Sequence, residues 1–265
     1  MVKQNTEWWD EKYGFFGNFY ITGDNSKNGY LSTKKQNLKQ RTTSEVKGII
    51  KVLDLKPKSK ILDIPCGYGR HSIELAKKGY VVIGSDLNRK HLSIAQREAR
   101  KNFVKTSFIK ENMIDIAYRN EFDAVINMFY SFGFFKTDQE NLKVLQNFFK
   151  ALKPKGKFLM HTDVNIPRIL AGKYKTDETR KLVSGDSLKI GDKYNSTTKR
   201  IEGFWILKSK NGKEIKKDYS VRVYTKNEFI KLCKQAGFRF CKAYSDWDKK
   251  PYSKDSEDMM IVATK

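Results

Sequence analysis

The chain predicts an α/β fold: a doubly wound, mostly parallel sheet with an antiparallel last strand and a β-rich insertion. Three observations lead there. Between residues 60 and 162, short apolar runs alternate with amphipathic helical stretches, the rhythm of βαβ units whose sheet is covered on both faces. A Gly-x-Gly turn, Gly67 and Gly69, joins the first run to its helix. The two closing strand-like runs leave no room for a crossover helix, so one runs antiparallel to the other.

Each element follows from its own pattern. Residues 1–30 are aromatic, weakly periodic and dotted with Gly and Asn, and read as a short helix and a loop. Glu45 leads into Val46, Ile49, Ile50 and Leu53 at helical spacing, and that helix stops before Lys56-Pro57-Lys58. Strands are predicted over 60–64, 80–85, 105–109, 122–128 and 157–162, with helices over 70–78, 89–101 and 138–152. The stretch 165–224 is more polar, with strands near 187–190, 201–208 and 219–223 and a hairpin signal at Asn211-Gly212. A helix over 225–236, closed by Gly237, precedes strands at 238–244 and 259–263. The organisation predicted is an aromatic, helical N-terminal cap (1–57), a ligand-binding domain from 58–164 and 225–265, and an antiparallel insertion (165–224) for substrate or subunit contacts.

Composition narrows the class. The 265 residues can bury a substantial core, and 17 Phe, 13 Tyr and 4 Trp argue against disorder. The net charge of +23 is carried by 42 Lys against 11 Arg, spread along the chain rather than gathered in one block. Recognition of phosphate and base edges favours the Arg fork. The excess therefore reads first as a solvated basic surface, with nucleic acid left open as a partner. Cys66, Cys233 and Cys241 have neither zinc spacing nor an even count, so no metal site is predicted. The N-terminus is not a signal peptide, and no run of about 18 apolar residues occurs, so the expected setting is cytoplasmic with no membrane contact.

The most informative segment runs from Lys60 through Gly69 into the next helix. Glycines there let a ligand lie against bare backbone at the carboxyl end of a strand. A dinucleotide fingerprint would carry a third glycine, and position 72 is Ser. Asp63 ends the first strand, where it would repel a pyrophosphate but attract a ligand bearing an ammonium and a sulfonium. Asp86 closes the second strand, placed either to accept both ribose hydroxyls or to cap the following helix.

At these residues the sequence resembles the class I S-adenosylmethionine-dependent methyltransferases. Asp63-Ile64-Pro65-Cys66-Gly67-Tyr68-Gly69-Arg70-His71 is similar to their first motif in a D-x-x-C-G-x-G-R-H variant, and Gly84-Ser85-Asp86-Leu87 to their second. Residues 108–115 resemble the segment after strand three, with Asn112 where an Asp usually reads the adenine amino group and Met113 packing on the ring. Residues 122–135 resemble the fourth motif, with Asn127 at the strand end near the sulfonium. The resemblance implies a seven-stranded Rossmann-like sheet, S-adenosylmethionine as cofactor, and Asp63, Pro65, Cys66, Gly67, Gly69, Asp86, Leu87, Asn112, Met113 and Asn127 as its site. It is nearly silent on the acceptor.

Methyl transfer is an in-line displacement that needs alignment and a dry pocket, and an acid/base group only where the acceptor must lose a proton. Tyr130 and Ser131 follow strand four. His161 and Asp163, two apart at the end of strand five, share a face of an extended chain and suit a base with its orienting carboxylate; the alternative is a structural His and a turn-starting Asp. His71 is expected to pack near the turn and His91 to face solvent. The aromatics of residues 8–20 form either a lid over the cofactor or a helix packed on the sheet of the ligand-binding domain. The expected function is methylation of a small molecule at O, N or C, with RNA as the alternative acceptor. A nicotinamide-dependent oxidoreductase and a non-catalytic binding module are the readings from other classes, and a homo-oligomer stays open.

Overall fold

A computed structural model describes residues 8–17, 19–20, 38–182 and 184–265. The helix and loop expected over 1–30 therefore lie partly outside the described residues. In chain order the elements are α1 (Leu38–Leu53), β1 (Lys60–Asp63), α2 (Arg70–Lys77), β2 (Val81–Asp86), α3 (Arg89–Lys101), β3 (Ser107–Lys110), β4 (Phe122–Asn127), α4 (Asp138–Ala151) and β5 (Leu152–Thr162). There follow α5 (Ile166–Leu170), β6 (Lys175–Lys181), β7 (Ser187–Asn195), β8 (Arg200–Lys208), β9 (Glu214–Arg222), α6 (Lys226–Ala236), β10 (Phe240–Tyr244) and β11 (Met259–Thr264). The chain divides into two compact units, 42–167 with 224–265, and 168–223 with the segment that precedes residue 42. That division cuts the expected 1–57 cap at the start of α1.

The larger unit holds a seven-stranded sheet in the order β10-β11-β5-β4-β1-β2-β3. Its strands are parallel except β11, which runs antiparallel to both β5 and β10. Burial explains the apolar runs: Ile61 and Leu62 of β1, Ala124 to Ile126 of β4 and Phe158 to Met160 of β5 are all fully enclosed, as strands covered on both faces require. On one face Val46, Ile49, Val52 and Leu53 of α1 pack with Leu75 of α2 against Ile61, Ile126 and Leu159. On the other, Phe158 meets Phe148 of α4 and Phe229 of α6, with Phe238 beside them. Both helices on this side start with capping boxes, Thr137 with Glu140 and Thr225 with Glu228, and Gly237 closes α6 at φ 113°. Among the described residues no helix is long and apolar enough to cross a membrane.

Strand β5 begins earlier than expected, at Leu152, because the Pro154–Gly156 stretch lies inside the strand as an irregularity. Phe122 pairs with Leu152 but Ala124 with Lys157, and the extra residues loop out with Lys155 at φ 66°.

The second unit contains a four-stranded antiparallel sheet ordered β6-β7-β8-β9, with Gly212 at φ 84° in the predicted hairpin between β8 and β9. Strand β6 escapes sequence reading because Lys175–Lys181 contains no apolar residue, yet it pairs along its whole length with β7. The N-terminal aromatics belong here. Phe15 and Phe19 are buried with Leu188, Ile190 and Leu207, and Tyr20 stacks on Trp205 at 5.3 Å. The described rings pack on the sheet of the insertion, and residues 8–17 are turns rather than the helix expected as the alternative to a lid.

Phe158 sits at the centre of the larger core with no exposed surface. Phe158→Ala is expected to destabilise that unit by about 3–5 kcal/mol, measured as a fall in the urea midpoint.

Candidate functional site

The parallel strands β1, β2, β4 and β5 bring their carboxyl ends to one edge of the sheet. β1 pairs with β2 and β4 so that Asp63 lies level with Gly84 and Ile126. Asp63 is 1% exposed, and Ser72 Oγ donates to its Oδ2 at 2.5 Å. The residue that breaks the dinucleotide fingerprint thus holds the carboxylate. The other oxygen, Oδ1, is buried with no hydrogen-bond partner among the described residues. Burial, with the Asp86 charge adding to it, pushes the Asp63 carboxyl up to about 7 despite Ser72 and Arg70.

Asp86 ties the turn to β2. Its Oδ2 accepts from Gly67 N and its Oδ1 from Asn88 N, both at 2.8 Å, while His91 Nδ1 stands 3.8 Å away. The cap of α3 is Asn88, which accepts from the amides of Lys90 and His91; Asp86 is free of that duty. Cys66 lies buried between the acids: burial and then the charges of Asp86 and Asp63 push its thiol well up. The two carboxylates therefore bracket the turn as the sequence requires.

The two glycines differ in kind. A Cβ at Gly69 (φ 74°) would stand 2.7 Å from Phe108 and 2.8 Å from Ala95, so this glycine is needed for packing. At Gly67 (φ 53°) a Cβ would meet nothing within 4 Å. That face of the turn is open.

After strand three, Met113 is buried, and Asn112 Oδ1 already accepts from Ile114 N at 3.2 Å. Glu111, which sequence reading passed over, receives the hydroxyls of Ser85 and Tyr118 at 3.1 and 2.8 Å. Pro65 and Leu87 are half-buried at the turn and beyond β2. Asn127 ends β4 fully buried; its Nδ2 donates to Ile64 O at 2.8 Å, and its Oδ1 has no partner among the described residues.

Beyond Asn127 the chain turns sharply through Phe129 (φ 57°) and Tyr130 (φ 54°), two non-glycine residues in the left-handed region. Tyr130 N donates to His161 O at 2.9 Å, which fixes the turn to the end of β5. Phe129 lies between two histidines, 5.7 Å from the His71 ring and 5.1 Å from that of His161, with the Arg70 guanidinium 4.6 Å from its own ring centre. The pairing expected of His161 is corrected here. Asp163 lies beyond the end of β5 and is exposed, whereas His161 Nε2 faces Asp258 Oδ2, just ahead of β11, at 3.4 Å.

Trp247 stacks on the His161 ring at 5.3 Å and reaches it because position 48 of α1 is glycine; a Cβ there would come within 2.3 Å of the indole. Further along, Glu45 of α1 receives Arg70, and His71 Nε2 stands 3.0 Å from the same oxygen. Burial opposes the charged form of Glu45, but the His71 hydrogen bond and the Arg70 charge outweigh it and hold this carboxyl below the usual range. Burial, then Arg70, pulls His71 down to about 4. At neutral pH His71 is therefore a neutral ring donating to an ionised Glu45. His91, expected in solvent, is 4% exposed and packs edge-on against Tyr68 at 4.5 Å.

This strand order is that of the class I S-adenosylmethionine-dependent methyltransferase fold, and residues 61–156 match the model of a methyltransferase domain. Among individual relatives, the chain is 26% identical over 214 residues to "Putative methyltransferase YqeM" of Bacillus subtilis, covering 80% of this chain and 86% of that one. It is 30% identical over 134 residues to the glycine/sarcosine N-methyltransferase of Parasynechococcus marenigrum, covering 50% of this chain and 47% of the relative. The crystal structure of an S-adenosylmethionine-dependent methyltransferase from Clostridium acetobutylicum shares the fold, with a TM-score of 0.71 at 14% identity over 84% of this chain and 91% of that one.

The Asp63 carboxyl, raised from 3.8 to about 7, sets a pH dependence in the ligand-free protein. Below about pH 4 the group is protonated folded and unfolded and adds no slope. Between about 4 and 7 the folded chain keeps a proton that the unfolded chain has released, so stability falls as pH rises, by about 4 kcal/mol in all. Asp63→Asn is expected to remove this part of the slope, read from urea unfolding at pH 5 and pH 7.

Proposed function

We propose that this protein transfers a methyl group from S-adenosylmethionine to a small-molecule acceptor through an O, N or C nucleophile. The observation that carries the reading is Asp63: a buried carboxylate with one oxygen unpaired among the described residues, beside the open face of Gly67. A desolvated acid of this kind is stabilised by a cation and repels a pyrophosphate, which favours an ammonium-bearing ligand over a nicotinamide dinucleotide.

S-adenosylmethionine supplies a methyl group on positively charged sulfur; its carbon–sulfur bond breaks as the nucleophile–carbon bond forms, and S-adenosylhomocysteine leaves. In this reading Asp63 holds the amino group, and the backbone at Pro65, Cys66 and Gly67 lies along the ligand. Asp86 receives the ribose hydroxyls with its remaining lone pairs, and Leu87 and Met113 pack against the adenine. Asn112, its side-chain oxygen engaged with Ile114, is a weaker adenine contact than the sequence suggested. Asn127 Oδ1, buried without a partner among the described residues, would face the positive sulfur. Gly69 serves by letting Phe108 close against α3.

The acceptor side is apolar and aromatic, formed by Phe129, Tyr130, His161 and Trp247, all buried or half-buried. A lining of that composition suits a small molecule. The glycine/sarcosine relative acts on such molecules, by its name.

Calorimetric titration with S-adenosylhomocysteine should show binding, weakened at least tenfold in Asp63→Asn; absence of binding to the unaltered protein would sink the proposal. Gly67→Ala should weaken the same binding and lower the unfolding midpoint only by the roughly 1–2 kcal/mol strain of a left-handed alanine, whereas Gly69→Ala, which adds the clash with Phe108 and Ala95, should lower it further. Labelled methyl transfer should reach members of a panel of small amines and hydroxy compounds. Salt-sensitive labelling of total RNA, with none in the panel, would replace the acceptor.

A further inference from the structure

On the reading just proposed, we infer that Asp258 is a positioning residue that fixes His161 as the Nε2–H tautomer, leaving Nδ1 as the atom that takes a proton from the acceptor. The inference rests on geometry. His161 is 2% exposed, and Asp258 Oδ2 lies 3.4 Å from its Nε2. An ionised carboxylate accepts and cannot donate, so the ring nitrogen facing it carries the hydrogen. The other nitrogen is then a lone pair. Nδ1 is buried with no hydrogen-bond partner among the described residues, and a lone pair left unpaired inside a protein is costly unless a ligand meets it.

The ring cannot swing away from this duty. Trp247 stacks on it with 22° between planes, Phe129 meets it edge-on, and Tyr130 N holds the backbone at its own carbonyl. The charged or titratable groups facing it are few. Asp258 precedes β11; His71, neutral at pH 7, and Arg70 reach it from α2 across Phe129; and Glu45 of α1 holds Arg70 and His71 in turn. The residues around Phe129 are also those that follow strand four, beside Asn127, where the methyl donor and acceptor would meet. A fixed base there serves an acceptor that is protonated before reaction, an ammonium or a hydroxyl, rather than a carbon or thioether nucleophile. The proton passes from the nucleophile to Nδ1, and the bonding pair it leaves behind forms the bond to the methyl carbon. The imidazolium, stabilised by Asp258, then loses its proton to water.

Ring-nitrogen NMR of the full chain tests the tautomer without any acceptor. The expected result is an Nε2–H ring, with the Nδ1–H form gaining in Asp258→Ala, because the acceptor facing Nε2 is gone. An Nδ1–H ring in the unaltered protein, or a tautomer unchanged in Asp258→Ala, overturns the inference. In methyl transfer to the panel compound turned over fastest, His161→Gln should lose roughly 10²-fold or more in kcat. Asp258→Asn should lose roughly tenfold or more, with the alkaline-rising limb of its pH profile displaced, while S-adenosylhomocysteine binding stays within twofold in both. Normal profiles in both variants overturn the base role alone. A protein that binds S-adenosylhomocysteine but methylates nothing in the panel overturns the small-molecule reading and the base role with it.

Discussion

The sheet edge that carries the proposed site depends on a carboxylate placed where water cannot reach it. Asp63 stands at the end of the central strand β1, hydrogen-bonded on one oxygen and bare on the other. An isolated buried charge is expensive, and the group responds by holding its proton more tightly than a carboxylate in water. The surrounding fold is rigid enough to keep it there: Ile61 and Leu62 precede it in the core, β2 and β4 flank it, and Ser72 approaches from the first turn of α2. A site prepared in this way gains most from a ligand that brings a positive charge, since binding satisfies an acceptor and neutralises a desolvated anion together.

Around that acid the division of labour among small residues is sharp. Gly69 and Gly84 admit the ring of Phe108, to which an added Cβ would come within 2.7 Å at either position. They let α3 and β3 close on the turn. Gly67 has no such neighbour and keeps the turn's outer side clear. Asp86, bonded to Gly67 N and Asn88 N, then locks the turn to β2. The same logic recurs across the site, where Gly48 makes room for Trp247 and so for the stack that immobilises His161. Close packing, rather than any catalytic side chain of α1, is what makes that helix part of the site.

The alternation of strands and helices was legible because each buried strand is a continuous apolar run and each helix carries an apolar stripe. The antiparallel closing pair followed from loop length alone. Strand β6 was not legible, since Lys175–Lys181 offers no periodicity and is held by its partner's backbone. In the site, Asp63 and Asp86 were readable because strand-end acids beside a glycine turn are rare and chemically pointed. Asp258, Glu45 and Trp247 were invisible for the opposite reason. They come from segments distant in sequence, and only the antiparallel pairing of β11 with β5, Met260 level with His161, brings Asp258 to the imidazole. Asp163 was the natural choice from spacing, but β5 ends at Thr162 and the alternation that would have paired the two residues ends with it.

The region beyond strand four also explains why strain is found where it is. Phe129 and Tyr130 occupy left-handed conformations that cost on the order of 1–3 kcal/mol each outside glycine. Their turn is held by the Tyr130 hydrogen bond to His161 O, by the Phe129 ring between two imidazoles, and by the Arg70 guanidinium over that ring. Arg70 is fixed in turn by Glu45, whose charge is retained because Arg70 and His71 both address it. A buried ion pair, a neutral histidine and an aromatic ring thus act as one clamp on a backbone that would otherwise relax. Loosening any member would let the turn revert to ordinary geometry, and the carbonyl end of β4 would no longer present Asn127 and Phe129 together at the same edge as Asp63.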